Sequence, residues 1–145
     1  MILIDANLLI YASDRSSSMH ERARRWLETT LPRPQPPIRL AWITVLAFLR
    51  ITTNPRVFEN PFAMGEAVSC VSEWLAQPAV EILQPGERYW AILQQLLSAG
   101  QIRAPLVMDA HLAALAIEHG ATLCTTDKDF ARFEALRLLN PLEKE

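Results

Sequence analysis

Glycine, cysteine and lysine are scarce in this chain, and each shortage removes a class of function. Four glycines in 145 residues leave little material for a phosphate-cradling loop, and none of GxxxxGKS/T, GxGxxG, HExxH or GxSxG occurs. A nucleotide-binding enzyme is therefore not expected. The two cysteines, Cys70 and Cys124, lack CxxC spacing and sit among apolar neighbours (AVSCVSEW, ATLCTTD). They read as buried structural thiols in a reducing compartment, not as a disulfide or zinc ligands. No apolar run approaches the ~20 residues of a membrane span, and Ile2-Leu3-Ile4-Asp5 lacks the basic start of a signal peptide. The expectation is a cytoplasmic protein without membrane contact. Lysine occurs twice, so twelve of the fourteen basic residues are arginine. That bias suits bidentate contacts with phosphate or carboxylate, and equally suits GC-rich coding. The net charge of −2 argues against a broadly basic nucleic-acid-binding face, but permits a local one drawn from Arg22, Arg24, Arg25, Arg50, Arg56 and Arg103.

What remains is a folding domain. Half the residues are hydrophobic and 21% are charged, which supports a core without staples in a single domain spanning 1–145. A short buried strand over 2–4 ends at Asp5-Ala6-Asn7, and LLIY at 8–11 begins a helix. A helix is expected over 19–30, with Met19, Ala23, Trp26, Leu27 and Thr30 inward and Glu21, Arg22, Arg24, Arg25 and Glu28 on a solvated face. Four prolines between Pro32 and Pro37 make a loop. A buried helix follows over 41–53, and another over 63–76 with Val68, Val71, Trp74 and Leu75 inward. Val80–Leu83 reads as a strand, Gly86–Ser98 as a helix ending near Gly100, and 107–118 as a helix closed by Gly120. Strands over 122–125 and near 136–139 flank the turn TTDKDF. Alternating strands and helices imply an α/β fold, a mainly parallel central sheet covered on both faces, with loops meeting at the strands' carboxyl ends.

Three acidic segments stand at the edges of apolar runs: Asp5 in MILIDANLLI, Asp109 in VMDAHLAALA, and Asp127 with Asp129 in TTDKDF. An unpaired carboxylate is costly in such places, and several brought together by the fold call for a counter-cation; a divalent metal with oxygen ligands answers that need. Each also has a plain structural reading. Asp5 and Asn7 suit an Asx turn, Asp109 suits the first turn of a helix expected to be packed deep, and Thr126 to Asp129 matches a capping box. His111 and His119 read as surface or helix-end residues, because hard cations prefer oxygen. Trp26, Trp42, Trp74 and Trp90 fall at helical-face spacing and read as core.

Taken together, MILIDANLLIYA, WITVLAFLRITTNPRVF and MDAHLAALAIEHGATLCTTDKDF resemble the PIN-domain proteins, specifically the VapC toxin family of type II toxin–antitoxin systems. The resemblance runs nearly end to end. It implies a three-layer α/β/α sandwich acting as a Mg2+- or Mn2+-dependent endoribonuclease that is neutralised by a VapB-like antitoxin, usually as a homodimer. Position by position, Asp5, Asp109 and Asp127 match the family's first, third and fourth catalytic, metal-holding acids. Asp129 matches an auxiliary acid, and Asn7 with Thr125 or Thr126 the polar positions beside them. The second acid, a Glu on the helix spelled VLAFLR, is replaced by Phe48 or Ala47, which leaves the number of metals open. Arg50, two residues on, is placed to contact phosphate or to pair with a site acid. Two other readings follow from the same residues: a catalytically weakened PIN fold that binds RNA or a partner, and a phosphoaspartyl site, which lacks a Lys at a strand end.

Overall fold

The computed structural model describes residues 1–99 and 102–143; Gly100, near which a helix was expected to end, lies outside the described residues. Five parallel strands form one sheet in the order β3-β2-β1-β4-β5. They are β1 (Ile2–Ile4), β2 (Ile38–Leu40), β3 (Val80–Ile82), β4 (Thr122–Cys124) and β5 (Arg137–Leu139). The helices are α1 (Ala6–Ser13), α2 (His20–Thr30), α3 (Trp42–Thr52), α4 (Met64–Leu75), α5 (Tyr89–Ala99) and α6 (Val107–His119), with 3-10 turns at Ala104–Leu106 and Lys128–Arg132. No described helix is long and apolar enough to cross a membrane.

Side chains on a strand point alternately to its two faces, and a parallel sheet buried on both faces is apolar throughout. β1 shows this in three residues. Ile2 and Ile4 enter a core with Leu8, Leu9, Leu27, Phe48 and Trp74 from α1–α4, while Leu3 enters a second core with Leu93, Leu112, Leu115 and Phe130 from the α5–α6 side. Leu123 and Cys124 divide in the same way on β4. The result is the expected three-layer sandwich.

The order places β1 centrally, with β2 and β3 on one side and β4 and β5 on the other. The direction of winding therefore reverses between β1 and β4, and the loops after those two strands diverge to leave a crevice at their carboxyl ends. Backbone pairing fixes this seam: Ile4 lies opposite Cys124, and the Asp5 N–H donates to the Cys124 carbonyl at 3.0 Å.

Several local expectations need correction. β2 follows the proline loop directly; Ile38-Arg39-Leu40 is too short to display a period. α5 begins at Tyr89, because residues 86–88 are held outside it. Glu118 on α6 accepts from the Gly86 and Arg88 N–H groups at 2.7 and 2.9 Å, and a Cβ on Gly86 would lie 2.6 Å from Glu118 Oε2. Val68 is exposed, and Ala67 takes its expected place in the core. Trp74 is buried against Phe48, ring centroids 4.6 Å apart, whereas Trp42 and Trp90 are 49% and 59% exposed. α3 is not buried all round: Thr44, Val45, Phe48 and Thr52 face inward, and Trp42, Leu46 and Arg50 face out. Arg22 is not merely solvated, since it donates to the Leu142 carbonyl at 2.7 Å and ties the last described residues to α2. Cys124 is buried, which pushes its thiol up to about 12; Cys70 is only partly buried.

Candidate active site

The carboxyl end of β1 runs straight into α1, and Asp5 sits at the junction. Its extended backbone makes it the N-cap, and Oδ1 accepts from the Ala6 N–H at 2.7 Å. The second oxygen, Oδ2, accepts from the Thr125 hydroxyl at 2.7 Å. Thr125 directly follows β4 and is buried. Its hydroxyl is fully used: it donates to Asp5 and accepts from Asn7 Nδ2 at 3.2 Å and from the Asp127 N–H at 3.0 Å. Asn7 Nδ2 also donates to Thr126 Oγ1 at 2.9 Å, while Asn7 Oδ1 is buried with no hydrogen-bond partner among the described residues. Of the two threonines, Thr125 bridges the two strand ends and Thr126 only steadies Asn7.

The expected cap on the following turn is displaced by one residue. Asp127, not Thr126, is the N-cap, its Oδ1 accepting from the Asp129 N–H at 2.9 Å, and the element it starts is a 3-10 turn. Asp129 is exposed and lies 4.0 Å from Arg132 Nη2, whose Nε donates to the Asp129 carbonyl at 3.0 Å.

Asp109 stands in the first turn of α6, as the sequence implied, but that turn is not deep. Val107 and Met108 are exposed, Asp109 is half-buried, and full burial begins at Ala110. Together Asp5, Asp109 and Arg50 line a cleft of about 610 Å3 whose remaining wall is Ala6, Ile43, Thr44, Leu46, Ala47, Met108 and Leu112. Arg50 is on the cleft wall and forms no ion pair among the described residues. The α3 position that faces the acids is Ala47; Phe48 is turned away, fully buried in the core. Neither supplies an oxygen.

The carboxylates press on one another. Burial, followed by repulsion from Asp127, Asp5 and Asp129, lifts Asp109 to about 6, with Arg132 acting in the opposite sense. Burial also raises Asp5, against the hydrogen bonds from Thr125 and Ala6, and Asp127 adds to the rise. Such a set stabilises a cation placed among its members. Among the described residues no three acid, His or Cys side chains converge tightly enough to hold an ion unaided. The donor set thus fits a hard divalent ion taking one or two carboxylates and completing its shell with water or phosphate oxygens, the habit of Mg2+. The unpartnered Asn7 Oδ1 is a further oxygen of the right kind.

Neither surface-directed histidine reading holds for His111, whose ring pairs with the Tyr89 hydroxyl between α5 and α6; His119 binds the Gln84 carbonyl at 2.8 Å near the end of α6. Arg132 was not anticipated. Only the three-dimensional turn that brings its guanidinium back over Asp129 marks it, and no spacing in the sequence does.

An all-parallel sandwich with aspartates gathered at the seam between its first and fourth strands defines a PIN domain, and the PIN domain family matches residues 2–136 of this chain. Ribonuclease VapC37 of Mycobacterium tuberculosis is 39% identical over 141 residues, covering 97% of each chain. Ribonuclease VapC33 of the same species is 38% identical, covering 99% of this chain and all of the relative. The chain belongs to the VapC family of PIN-domain proteins. The fold agrees with that of the VapBC2 complex from Rickettsia felis bound to promoter DNA, at a TM-score of 0.67, 20% identity and coverage of 97% and 98% of the two chains. It agrees equally with the FitAcB complex from Neisseria gonorrhoeae, at 0.64, 23% identity and coverage of 97% and 98%.

Proposed function

We propose that this protein is a divalent-metal-dependent endoribonuclease, the toxin of a VapBC-like pair, with Asp5, Asp109 and Asp127 as its catalytic and metal-holding acids. The observation that carries the reading is that Asp5 and Asp109 line one cleft, with Asp127, tied through its N–H to Thr125 beside Asp5, near enough to repel both. Relatives named ribonucleases, similar over almost the whole chain, support it. Asp5, Asp109 and Asp127 would hold Mg2+ or Mn2+ there, and the ion would supply a water of lowered pKa and neutralise charge on the scissile phosphate.

The chain's own groups do the rest. Thr125 fixes the rotamer of Asp5, and the cap to Ala6 fixes its position, so that one carboxylate edge is held toward the cleft. Asn7 steadies Thr125 and Thr126 from the first turn of α1. Arg50, on the opposite wall and without an ion pair among the described residues, binds a phosphate of the RNA backbone, and Asp129 serves as an outer acid beside Arg132. Solved structures of the same fold are complexes with a second protein, which supports a VapB-like antitoxin as partner; an antitoxin Arg entering the acidic cleft has its charge complement ready-made. The toxin is expected to work as a homodimer in the cytoplasm.

The test is titration of wild type and Asp5→Asn with Mg2+ or Mn2+, followed by melting temperature and by cleavage of a total-RNA pool. Metal-dependent stabilisation and discrete cleavage, both lost in the variant, are the expected result. The position of Ala47 gives a second reading some ground: without a carboxylate on α3 the fold binds RNA or a partner and does not cut. Normal RNA affinity without cleavage at any metal concentration would establish that alternative.

A further inference from the structure

Among the described residues three polar side chains are buried, and all are threonines: Thr44, Thr52 and Thr125. Two of them have their hydroxyls satisfied. Thr52 Oγ1 donates to the Phe48 carbonyl at 2.7 Å, and Thr125 Oγ1 serves Asp5, Asn7 and Asp127. Thr44 is 2% exposed, yet its hydroxyl has no hydrogen-bond partner among the described residues. A threonine inside a helix commonly donates to the carbonyl four residues back, as Thr52 and Thr53 both do on α3. For Thr44 that carbonyl belongs to Leu40, and it already accepts the Leu83 N–H at 2.8 Å. The small part of Thr44 left uncovered opens on the cleft of Asp5 and Asp109. Valine has the same shape without the cost of an idle buried hydroxyl, so the packing of α3 has no use for this oxygen.

Resting on the nuclease reading above, we infer that Thr44 is a further substrate-contacting residue, its hydroxyl donating to a non-bridging oxygen of the RNA phosphate in the acid cleft while Arg50 grips a neighbouring phosphate of the same strand. The spacing on α3 supports this. Thr44, Ala47 and Arg50 recur every three residues and line one wall of the cleft. Ala47, in the middle, carries no carboxylate; one placed there, a single turn from Thr44, would take up the hydroxyl and repel a phosphate. Six residues of helix separate Thr44 from Arg50 by about 9 Å along the axis, which carries the guanidinium past the first phosphate. Thr44 also lies in the first turn of α3, which starts directly beyond the carboxyl end of β2 and whose N-cap, Ala41, makes no side-chain cap. The field of a helix start favours an anion there. The wall opposite the acids is thus a wall of donors, suited to the phosphate oxygens that the acids themselves would repel.

The test pairs Thr44→Val, which keeps the shape and removes the hydroxyl, with Thr44→Ser, which keeps the hydroxyl. Melting temperature is measured on the purified full chain, together with its affinity for a fluorescein-labelled single-stranded RNA of random sequence, by anisotropy with Ca2+ in place of Mg2+. Initial cleavage of a total-RNA pool in Mg2+ completes the set. Thr44→Val should melt no lower than wild type, and should bind the RNA at least about tenfold more weakly, as loss of a hydrogen bond to a charged group requires. Its cleavage should slow by a similar factor, and Thr44→Ser should recover most of both. Wild-type affinity and cleavage in Thr44→Val would overturn the inference while leaving the nuclease intact. A lower melting temperature in Thr44→Val that Thr44→Ser restores would also overturn it, because the hydroxyl would then belong to the fold. A wild type that binds the RNA without cutting any, with binding still weakened in Thr44→Val, would bring down the nuclease reading and leave the phosphate contact standing.

Discussion

The Thr125 hydroxyl donates to Asp5 Oδ2 at 2.7 Å across 120 residues of sequence, and takes the Asp127 N–H and the Asn7 amide in return. One buried oxygen thereby orients the Asp5 carboxylate and anchors the Asp127 backbone across the seam. Thr125→Val keeps the shape and removes the oxygen, leaving the Asp127 N–H without its acceptor and Asp5 Oδ2 without its donor. We expect a loss of about 1–3 kcal/mol in stability and of about 10- to 100-fold in cleavage or metal affinity. Thr125→Ser should recover most of both, measured by urea unfolding and by initial cleavage rates.

Asp5→Asn, Asp109→Asn and Asp127→Asn should each reduce RNA cleavage by at least about 100-fold while melting cooperatively. Asn keeps the cap at residues 5 and 127, because Oδ1 still accepts from the N–H groups of Ala6 and Asp129. Cleavage at wild-type rates by any one of these variants would remove that residue from the site.

The raised Asp109 carboxyl links stability to pH. Its folded-state value, about 6, lies above the ordinary 3.8, so the folded protein holds the proton more firmly than the unfolded chain does. This contribution is neutral below about pH 4. It becomes destabilising as pH rises through the window to about 6, and is constant above it. Asp5 acts in the same direction. The melting temperature of metal-free protein should therefore fall between pH 4 and pH 6–7 relative to Asp109→Asn, and saturating Mg2+ should flatten the curve. A metal-free wild type that gains stability relative to Asp109→Asn over this window would contradict the assignment.

Restoring an acid to α3 should succeed at one position and fail at its neighbour. Phe48→Glu places a carboxylate in the core against Trp74; the lost packing alone costs about 3–5 kcal/mol, and the buried charge adds to it. Ala47→Glu opens onto the cleft and should fold. Circular dichroism and thermal melts of the pair distinguish the two positions directly.

Gly86→Ala should destabilise by about 1–3 kcal/mol without changing cleavage per folded molecule, because its Cβ would strike the Glu118 carboxylate that holds the start of α5. Unchanged unfolding midpoints would show that Glu118 yields freely.

How much of this was legible in the sequence follows from how local each signal is. β1, β3 and β4 announce themselves as apolar runs ending in turns, and Gly120 marks the end of α6 through its left-handed backbone, φ 66°. β2 does not, since three residues after a run of prolines carry no period. Helical spacing separates the two sides of a helix but cannot say how much of each is covered, so Trp42 and Trp90 read as core yet lie exposed. The acids stood out because carboxylates at the edge of apolar runs are rare and costly. Thr125 was one of two equivalent threonines until the β1–β4 register chose between them, and nothing in the sequence singles out Arg132.

The seam between β1 and β4 also dates the site within the life of the molecule. Asp5 leaves the ribosome well ahead of Thr125 and Asp127, which follow only after more than a hundred further residues. At about 5–20 residues per second, most of a nascent chain's time is spent with its acids apart. With the proposed site, a ribonuclease built this way would be inert while it is being made, and a chain stalled or cleaved before β4 would never become a hazard to the RNA it emerges beside.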